Sequence, residues 1–305
     1  MKLTMVGAGR VGSTTLFQLV LEGGIQEIAI VDIDRPRAEG EALDLRHGLA
    51  HSYRCKIYEG DYDLTADSDL VVITAGVPRK PGDTRLDLLR VNVDLMRGIL
   101  EQVARYSPNA IILMVSNPVD VLTYQAVRST GFPPERVLGL GTVLDTTRFR
   151  SLLAERLEVS PDQVVAYMLG EHGDSMVPWL SGASVAGIPL TQFPGYSQAM
   201  LDEVVEATRF GGAEVIKRKG GTFYSVAPSI AAVLRAIRWD LRQVLPVSSL
   251  MQGELGMHDM CLSLPCIVGK RGRERVLVPP LSDSEREALL HSWRVLREAA
   301  ASVGL

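Results

Sequence analysis

A doubly wound α/β fold, with a parallel sheet covered on both faces, is predicted by three observations. Short apolar runs alternate with stretches of helical length through the first half of the chain. Those runs are apolar at nearly every position, as expected of strands buried on two sides. The first of them ends in a glycine-rich turn that opens a helix.

Taken in order, strands are expected at 3–6, 28–31, 70–74, 111–115 and 137–140, with amphipathic helices at 11–21 and 86–104. The second half is a mixed α+β arrangement. A helix is expected from about Asp145, then a strand at 164–168, helices at 199–219 and 226–243, and strands near 261–268 and 275–278. The last helix opens with Ser282 and Glu285 at capping-box spacing. Leu289, Trp293, Leu296 and Ala300 form its apolar stripe. No repeat, low-complexity segment or long linker interrupts the chain, and the division falls at 141, into 1–141 and 142–305.

Composition narrows the functional classes. Of 305 residues, 46% are hydrophobic and 22% charged, the proportions of an ordinary globular protein. A formal net charge of −4 leaves no basic footprint for nucleic acid. No apolar run reaches the roughly 20 residues that span a bilayer. The start, M-K-L-T-M-V-G-A-G, enters a strand and turn at once, so no cleavable signal fits. Three scattered cysteines, Cys55, Cys261 and Cys266, do not make a disulfide framework. A reduced, cytoplasmic setting is expected, with no membrane association.

Gly7-Ala8-Gly9-Arg10-Val11-Gly12 has the form G-x-G-x-x-G between a strand and a helix. Such glycines serve a tight turn, close approach of backbone to a pyrophosphate, and close helix–strand packing. The helix amino terminus offers free N–H groups to phosphate. Asp32 ends the second strand about 20 residues on, where a carboxylate accepts hydrogen bonds from ribose hydroxyls and repels a 2′-phosphate. The first half is therefore expected to be a Rossmann domain binding NAD, with Asp34 and Arg35 near enough to affect the choice of cofactor.

Beyond the strand at 164–168 comes L-G-E-H-G-D-S, which places His172 between glycines at a strand end. In G-T-V-L-D-T-T-R-F-R, Asp145 and Arg148 share a helix face at i and i+3, whereas Arg150 points away. These groups suit the reduction of a ketone. Histidine supplies a proton near neutral pH, a buried aspartate orients the imidazole, and an arginine holds a substrate carboxylate bidentately. Structural salt bridges would use the same residue types.

Together the segments V-G-A-G-R-V-G, G-E-A-L-D-L-R-H-G, T-A-G-V-P-R-K-P-G-D-T-R-L, V-S-N-P-V-D-V-L-T-Y, G-T-V-L-D-T-T-R-F-R and G-E-H-G-D-S resemble the lactate/malate dehydrogenase family over nearly the whole chain. The resemblance implies His172 as proton donor and acceptor, Asp145 as its partner and Arg148 as the carboxylate fork. It implies that Arg85, on a closing loop, polarises the substrate carbonyl. Asn117 would bond near the substrate oxygen, or simply precede Pro118 in a turn. Thr222 would line the substrate pocket, or cap a helix. The cofactor set so implied is Gly7, Gly9, Arg10, Val11, Gly12, Asp32, Thr74, Ala75, Gly76, Asn92, Val115 and Asn117. His47 and His51 have i, i+4 spacing, but in this family that helix lies between subunits; a homodimer or homotetramer is expected, and no metal.

By the same resemblance Arg79 occupies the specificity position, where lactate dehydrogenases usually carry glutamine and malate dehydrogenases arginine. A C4 dicarboxylate is the expected substrate, (S)-malate or oxaloacetate, with L-lactate and pyruvate as the alternative. Thr222 and T-R-L-D-L-L resemble the lactate enzymes as much as the malate ones. Lys80 is read as solvated. Arg150 aligns with an arginine that binds a sugar bisphosphate in many bacterial lactate enzymes; Val165 stands where their histidine would be, so no such activation is expected. Two other classes fit the residues less well. A nucleotide-dependent sensor would have no use for His172, Asp145 and Arg148 together, and an NAD-dependent glycosidase would need a metal site.

Overall fold

The computed structural model describes residues 1–51, 53–77 and 84–305, with the side chains of Ala50 and Arg85 outside that description. Its first half runs β1 (Lys2–Val6), α1 (Arg10–Glu22), β2 (Glu27–Val31), α2 (Arg35–Gly48), β3 (Lys56–Glu59), β4 (Leu70–Ile73), α3 (Arg85–Tyr106), β5 (Ile111–Met114), α4 (Val119–Thr130) and β6 (Val137–Gly139). The second half continues with α5 (Val143–Arg156), β7 (Val164–Leu169), β8 (Val177–Val185), β9 (Ile188–Pro189), α6 (Gln198–Lys219), α7 (Val226–Arg238), β10 (Gln243–Leu245), β11 (Ser248–Gln252), β12 (His258–Ser263), β13 (Cys266–Gly269), β14 (Gly272–Val276) and α8 (Asp283–Ala301).

The main sheet has the order β12-β11-β6-β5-β4-β1-β2-β3. From β6 to β3 it is parallel. From β1 the chain winds outward through β2 and β3, then returns to place β4, β5 and β6 on the other side. The order thus reverses between β1 and β4, and a crevice opens there beyond the carboxyl ends of the strands. Register aligns those ends: Val6 pairs with Ile73, Ile73 with Met114, and Met114 with Gly139. Four loops therefore leave the sheet at one level.

Apolar strands bury both faces. Leu3, Met5, Ile28 and Ile30 meet Leu16 and Leu19 of α1 and Ile230 and Leu234 of α7. Val71, Ile73, Ile112 and Met114 meet Met96 and Leu100 of α3, Leu122 of α4 and Leu289 of α8. Each fully buried aliphatic side chain contributes on the order of 2 kcal/mol, so the sheet is a rigid platform. The capping box at Ser282 and Glu285 forms as expected. Leu289, Leu296 and Ala300 are buried, with Trp293 packed against the same core.

The structure departs from the sequence expectation in several places, among them the strand expected near 275–278, which lies at Gly272–Val276. The parallel sheet gains two antiparallel strands from the second half, β11 and β12. The segment 261–268 is two strands in two sheets, because Pro265 has no N–H to continue a ladder. The helix expected to reach 243 stops at Arg238: Asp240 and Arg242 take positive φ of 50° and 51°, which no helix accommodates. The apolar stripe ends with Ile237, so nothing beyond it draws the helix onward.

Candidate active site

The glycine turn joins β1 to α1. Gly7 has φ of +104°, and a Cβ there would come within 2.6 Å of the Ala75 nitrogen and 2.8 Å of Thr74 Oγ1. A Cβ on Gly12 would collide with the Gly7 carbonyl. Gly9, the α1 N-cap, differs: a Cβ there would meet nothing within 4 Å. So two glycines permit packing, and the third faces open space at a helix amino terminus. Thr74 locks the turn by donating from Oγ1 to the Gly7 carbonyl at 2.9 Å.

At the end of β2, Asp32 accepts the Ala8 N–H at 2.6 Å through Oδ2 and the Asp34 N–H at 2.8 Å through Oδ1. Ile33 beside it is fully exposed. Arg35 donates to both oxygens of Asp61, so the cation nearest in sequence is already paired. A carboxylate beside an open helix amino terminus, bounded by an exposed aliphatic side chain, fits the ribose, pyrophosphate and adenine of a dinucleotide. Among the other expected cofactor residues, Asn92 is buried: its Oδ1 accepts the Val77 N–H, and its Nδ2 donates to the Val77 and Asn117 carbonyls. Asn92 thus ties the loops after β4 and β5 together. Val115, Gly76 and Ala75 line those loops. Asn117 is exposed, precedes a cis proline, and accepts the Val119 N–H through Oδ1. Arg10 and Val11 begin α1, and Arg10 reaches the Gly220 carbonyl and the Phe223 ring.

The acid–base cluster assembles from α5 and the loop after β7. Thr142 and Thr146 pin these elements together: Thr142 Oγ1 donates to the Met168 carbonyl at 2.5 Å, and Thr146 Oγ1 accepts the Met168 N–H at 2.9 Å. His172 lies just beyond, in a loop closed by Glu171, which accepts from the Ser175 N–H and hydroxyl. Asp145, 1% exposed, bridges the other two groups. Its Oδ2 is 2.5 Å from His172 Nδ1, and its Oδ1 accepts from Arg148 Nη1 at 3.1 Å. Burial opposes charge on His172, but Asp145 overcomes it and pushes the imidazole up to about 9. Burial likewise opposes the Asp145 carboxylate, yet His172 and Arg148 hold it below its ordinary value.

Arg148 Nη1 also donates to the Thr208 carbonyl of α6 at 3.3 Å. Its stem crosses α6 at Gly211, where a Cβ would lie 2.6 Å from Arg148 Cδ. Thr222 sits in the turn between α6 and α7, its hydroxyl 3.4 Å from that of Ser225. Arg79 and Lys80, and the side chain of Arg85, lie outside the described residues. His47 and His51 are exposed beside Phe17, Leu21 and Tyr224. Among the described residues no group of three or more His, Cys, Asp or Glu is placed to hold a metal ion. Arg150 donates to the Ala166 carbonyl and stacks on Tyr167, and Val165 is exposed.

Sequence reasoning missed Gly211 and Asp120. Gly211 had a signal, since paired glycines inside a 22-residue helix cost about 1 kcal/mol each and imply a close neighbour. Asp120 accepts the His172 N–H at 2.8 Å, a contact between distant segments that spacing does not show.

The family description "lactate/malate dehydrogenase, NAD binding domain" matches residues 1–139, and "lactate/malate dehydrogenase, alpha/beta C-terminal domain" matches 142–303. An L-lactate dehydrogenase of Synechococcus sp. (strain JA-3-3Ab) is 43% identical over 304 residues, covering 99% of each chain. Among solved structures, the minor L-lactate dehydrogenase of Enterococcus mundtii superposes with a TM-score of 0.96 at 35% identity, covering 100% of this chain and 98% of that one. The malate dehydrogenase of Picrophilus torridus does so at 0.94, also at 35% identity, covering 99% and 97%. With the dinucleotide cradle and the His–Asp–Arg cluster in place, the chain belongs to the lactate/malate dehydrogenase family, the NAD-dependent oxidoreductases of 2-hydroxy and 2-oxo acids.

Proposed function

We propose that this chain interconverts (S)-malate and oxaloacetate with NAD. The family reaction rests on the cluster of His172, Asp145 and Arg148; the choice of substrate is carried by the arginine at position 79. Oxaloacetate presents a second carboxylate where pyruvate has only a methyl group. A unit charge pair at about 4 Å and an effective dielectric near 20 is worth about 4 kcal/mol before desolvation. Pyruvate would instead leave a cation to be buried unpaired.

Residues 1–141 are assigned to the cofactor and 142–305 to the substrate, a division supported by family matches ending at 139 and resuming at 142. Gly9 and Asp32 would hold NADH, which would supply the hydride for the carbonyl carbon. Arg148 grips the substrate carboxylate. His172 gives a proton from Nε2, the ring nitrogen turned away from Asp145, to the carbonyl oxygen. Asp145 stabilises the imidazolium before transfer and fixes its tautomer after it. Arg85 polarises the carbonyl, Asn117 bonds near the reacting oxygen, and Thr222 borders the pocket. Exposed Phe17, Leu21 and Tyr224, beside His47 and His51, support a face between copies in a homodimer or homotetramer. Three free, buried cysteines suit a reducing cytoplasm.

The second reading, L-lactate and pyruvate, is favoured by the curated relatives, several of which carry the name L-lactate dehydrogenase at 40–43% identity. Whole-chain identity averages over the scaffold, whereas substrate choice turns on a few loop side chains. Following NADH absorbance with each oxo acid tests the reading. Turnover that favours oxaloacetate, is lost in His172→Asn and leaves NADH binding intact is expected. Pyruvate preference would establish the second reading, and NADH binding without turnover of either acid would make the chain a sensor.

A further inference from the structure

Asp120 takes no part in the chemistry above, yet it touches the residue at the centre of it. It is 2% exposed in the first turn of α4. Its Oδ2 accepts the backbone N–H of His172 at 2.8 Å, from 52 positions away in the chain. Its Oδ1 is buried beside the Ser248 hydroxyl, with no hydrogen bond of ordinary geometry among the described residues. A buried carboxylate so incompletely matched is costly, and an asparagine or an apolar residue would fill the space at lower cost.

We propose that Asp120 is a positioning residue, which holds the main chain of His172 from α4 while Asp145 holds its ring from α5. The two anchors come from different halves of the molecule. α4 follows the Asn117–Pro118 turn at the carboxyl edge of the cofactor-binding sheet, whereas α5 carries the substrate-gripping Arg148. A histidine fixed at both backbone and ring keeps Nε2 aimed at the crevice where these halves meet. Without Asp120 the His172 main chain would be held only through its neighbours, Gly170 on Ser263 of β12 and Ser175 on Ser292 of α8. Glu171 closes the loop of residues 171–175 on itself, and its own N–H also donates to Ser292 Oγ of α8 at 2.8 Å. Asp120 is therefore the anchor that connects the loop to α4.

The arrangement also has an electrostatic consequence. Asp145 and Arg148 face His172 from α5, and Asp120 faces it from α4. Around Asp120 itself lie Glu171 from the loop, Ser248 of β11 and Cys261 of β12. Burial raises the Asp120 carboxyl to about 6, so at neutral pH it is largely ionised and adds to the pull of Asp145 on the imidazolium.

This inference rests on His172 as proton carrier, but its test does not need turnover. The ring of His172 can be titrated by NMR in the apo-protein with carbon-13-labelled histidine, its signal identified by its loss in His172→Asn. Asp120→Asn keeps an oxygen for the His172 N–H and removes the charge. Its ring midpoint should fall by roughly half a unit to one unit, a three- to tenfold loss of protonated histidine above that midpoint. The alkaline limb of kcat/KM for the oxo acid should move with it, while KM for the oxo acid at neutral pH changes less than about twofold, because Arg148 is untouched. Asp120→Ala removes the acceptor as well, and kcat should fall about tenfold further at every pH. A ring midpoint in folded Asp120→Asn that coincides with the unsubstituted protein would overturn the proposal. Should that variant not fold, hydrogen exchange at the His172 amide of the unsubstituted protein decides: strong protection is expected, and exchange at the rate of an unstructured peptide would overturn it. Failure of the dehydrogenase reading shows separately, as absent turnover of both acids.

Discussion

At the scale of the residue, His172 gathers the argument. Its basicity comes from Asp145 working against burial, so the sign of its pH dependence follows. Reduction consumes the imidazolium, and kcat/KM for an oxo acid should be level through neutral pH and decline above about 9. Oxidation needs the neutral ring, and its kcat/KM should rise toward the same pH; parallel profiles in the two directions would exclude His172 as the shared group. A pKa raised on folding stabilises fully below the unfolded value, about 6.5 for histidine, and the gain is lost as pH rises through the folded value. The His172 contribution to stability should therefore be present at pH 6 and absent above 9, a difference that His172→Asn would abolish in denaturant titrations. The same substitution should cut turnover by about 10²- to 10⁴-fold, with the NADH dissociation constant unchanged.

Among the elements, α6 carries a strain-free compromise that a helix propensity scale misreads. Gly211→Ala should favour the isolated helix by about 1 kcal/mol. In the protein the added methyl would press on the stem of Arg148, which Asp145 and the Thr208 carbonyl hold in place. KM for the 2-oxo acid should rise at least about tenfold, with kcat changed less; an unaltered KM would remove Gly211 from the account. At the start of α2, Asp61 occupies Arg35, the cation closest to Asp32 in sequence. Asp61→Asn should tighten NADPH binding a few-fold, on the scale of an exposed ion pair, and leave NADH binding as it was. A fluorescence titration with both cofactors would show whether Arg35 can serve a 2′-phosphate at all.

These elements also show what could be read in advance. The glycine turn, Asp32 and the five apolar strands were legible because each is a local pattern: a turn needing absent side chains, or a run with no polar face. Asp145 and Arg148 were legible because i and i+3 on one helix fixes their proximity. The nine residues of β8, V-P-W-L-S-G-A-S-V, were not, since a proline and a glycine break the alternation. Neither was β3, K-I-Y-E, where a charged residue at each end leaves no apolar run. Asp120 and Gly211 act through partners 52 and 63 positions away, and no local pattern encodes a distant partner.

For the molecule as a whole, one sheet does the organising. It runs from β3 to β12, so strands from the second half extend a platform laid by the first. Because Val6, Ile73, Met114 and Gly139 end level, the cofactor turn, the loops after β4 and β5, and the entry to α5 converge on one crevice. The glycine turn after β1 and the helix that carries Asp145, after β6, thus start from the same edge of the sheet. The scaffold is shared by lactate and malate enzymes at the same identity, 35% in each of the two structures compared, so overall shape does not choose the substrate. That choice is left to side chains on the loops around the crevice. The most direct measurement is kcat/KM for NADH oxidation with oxaloacetate and with pyruvate, in the unsubstituted protein and in Arg79→Gln. The account predicts a preference for oxaloacetate of at least about tenfold, moving toward pyruvate in the variant. A preference for pyruvate that the substitution leaves unchanged would contradict it.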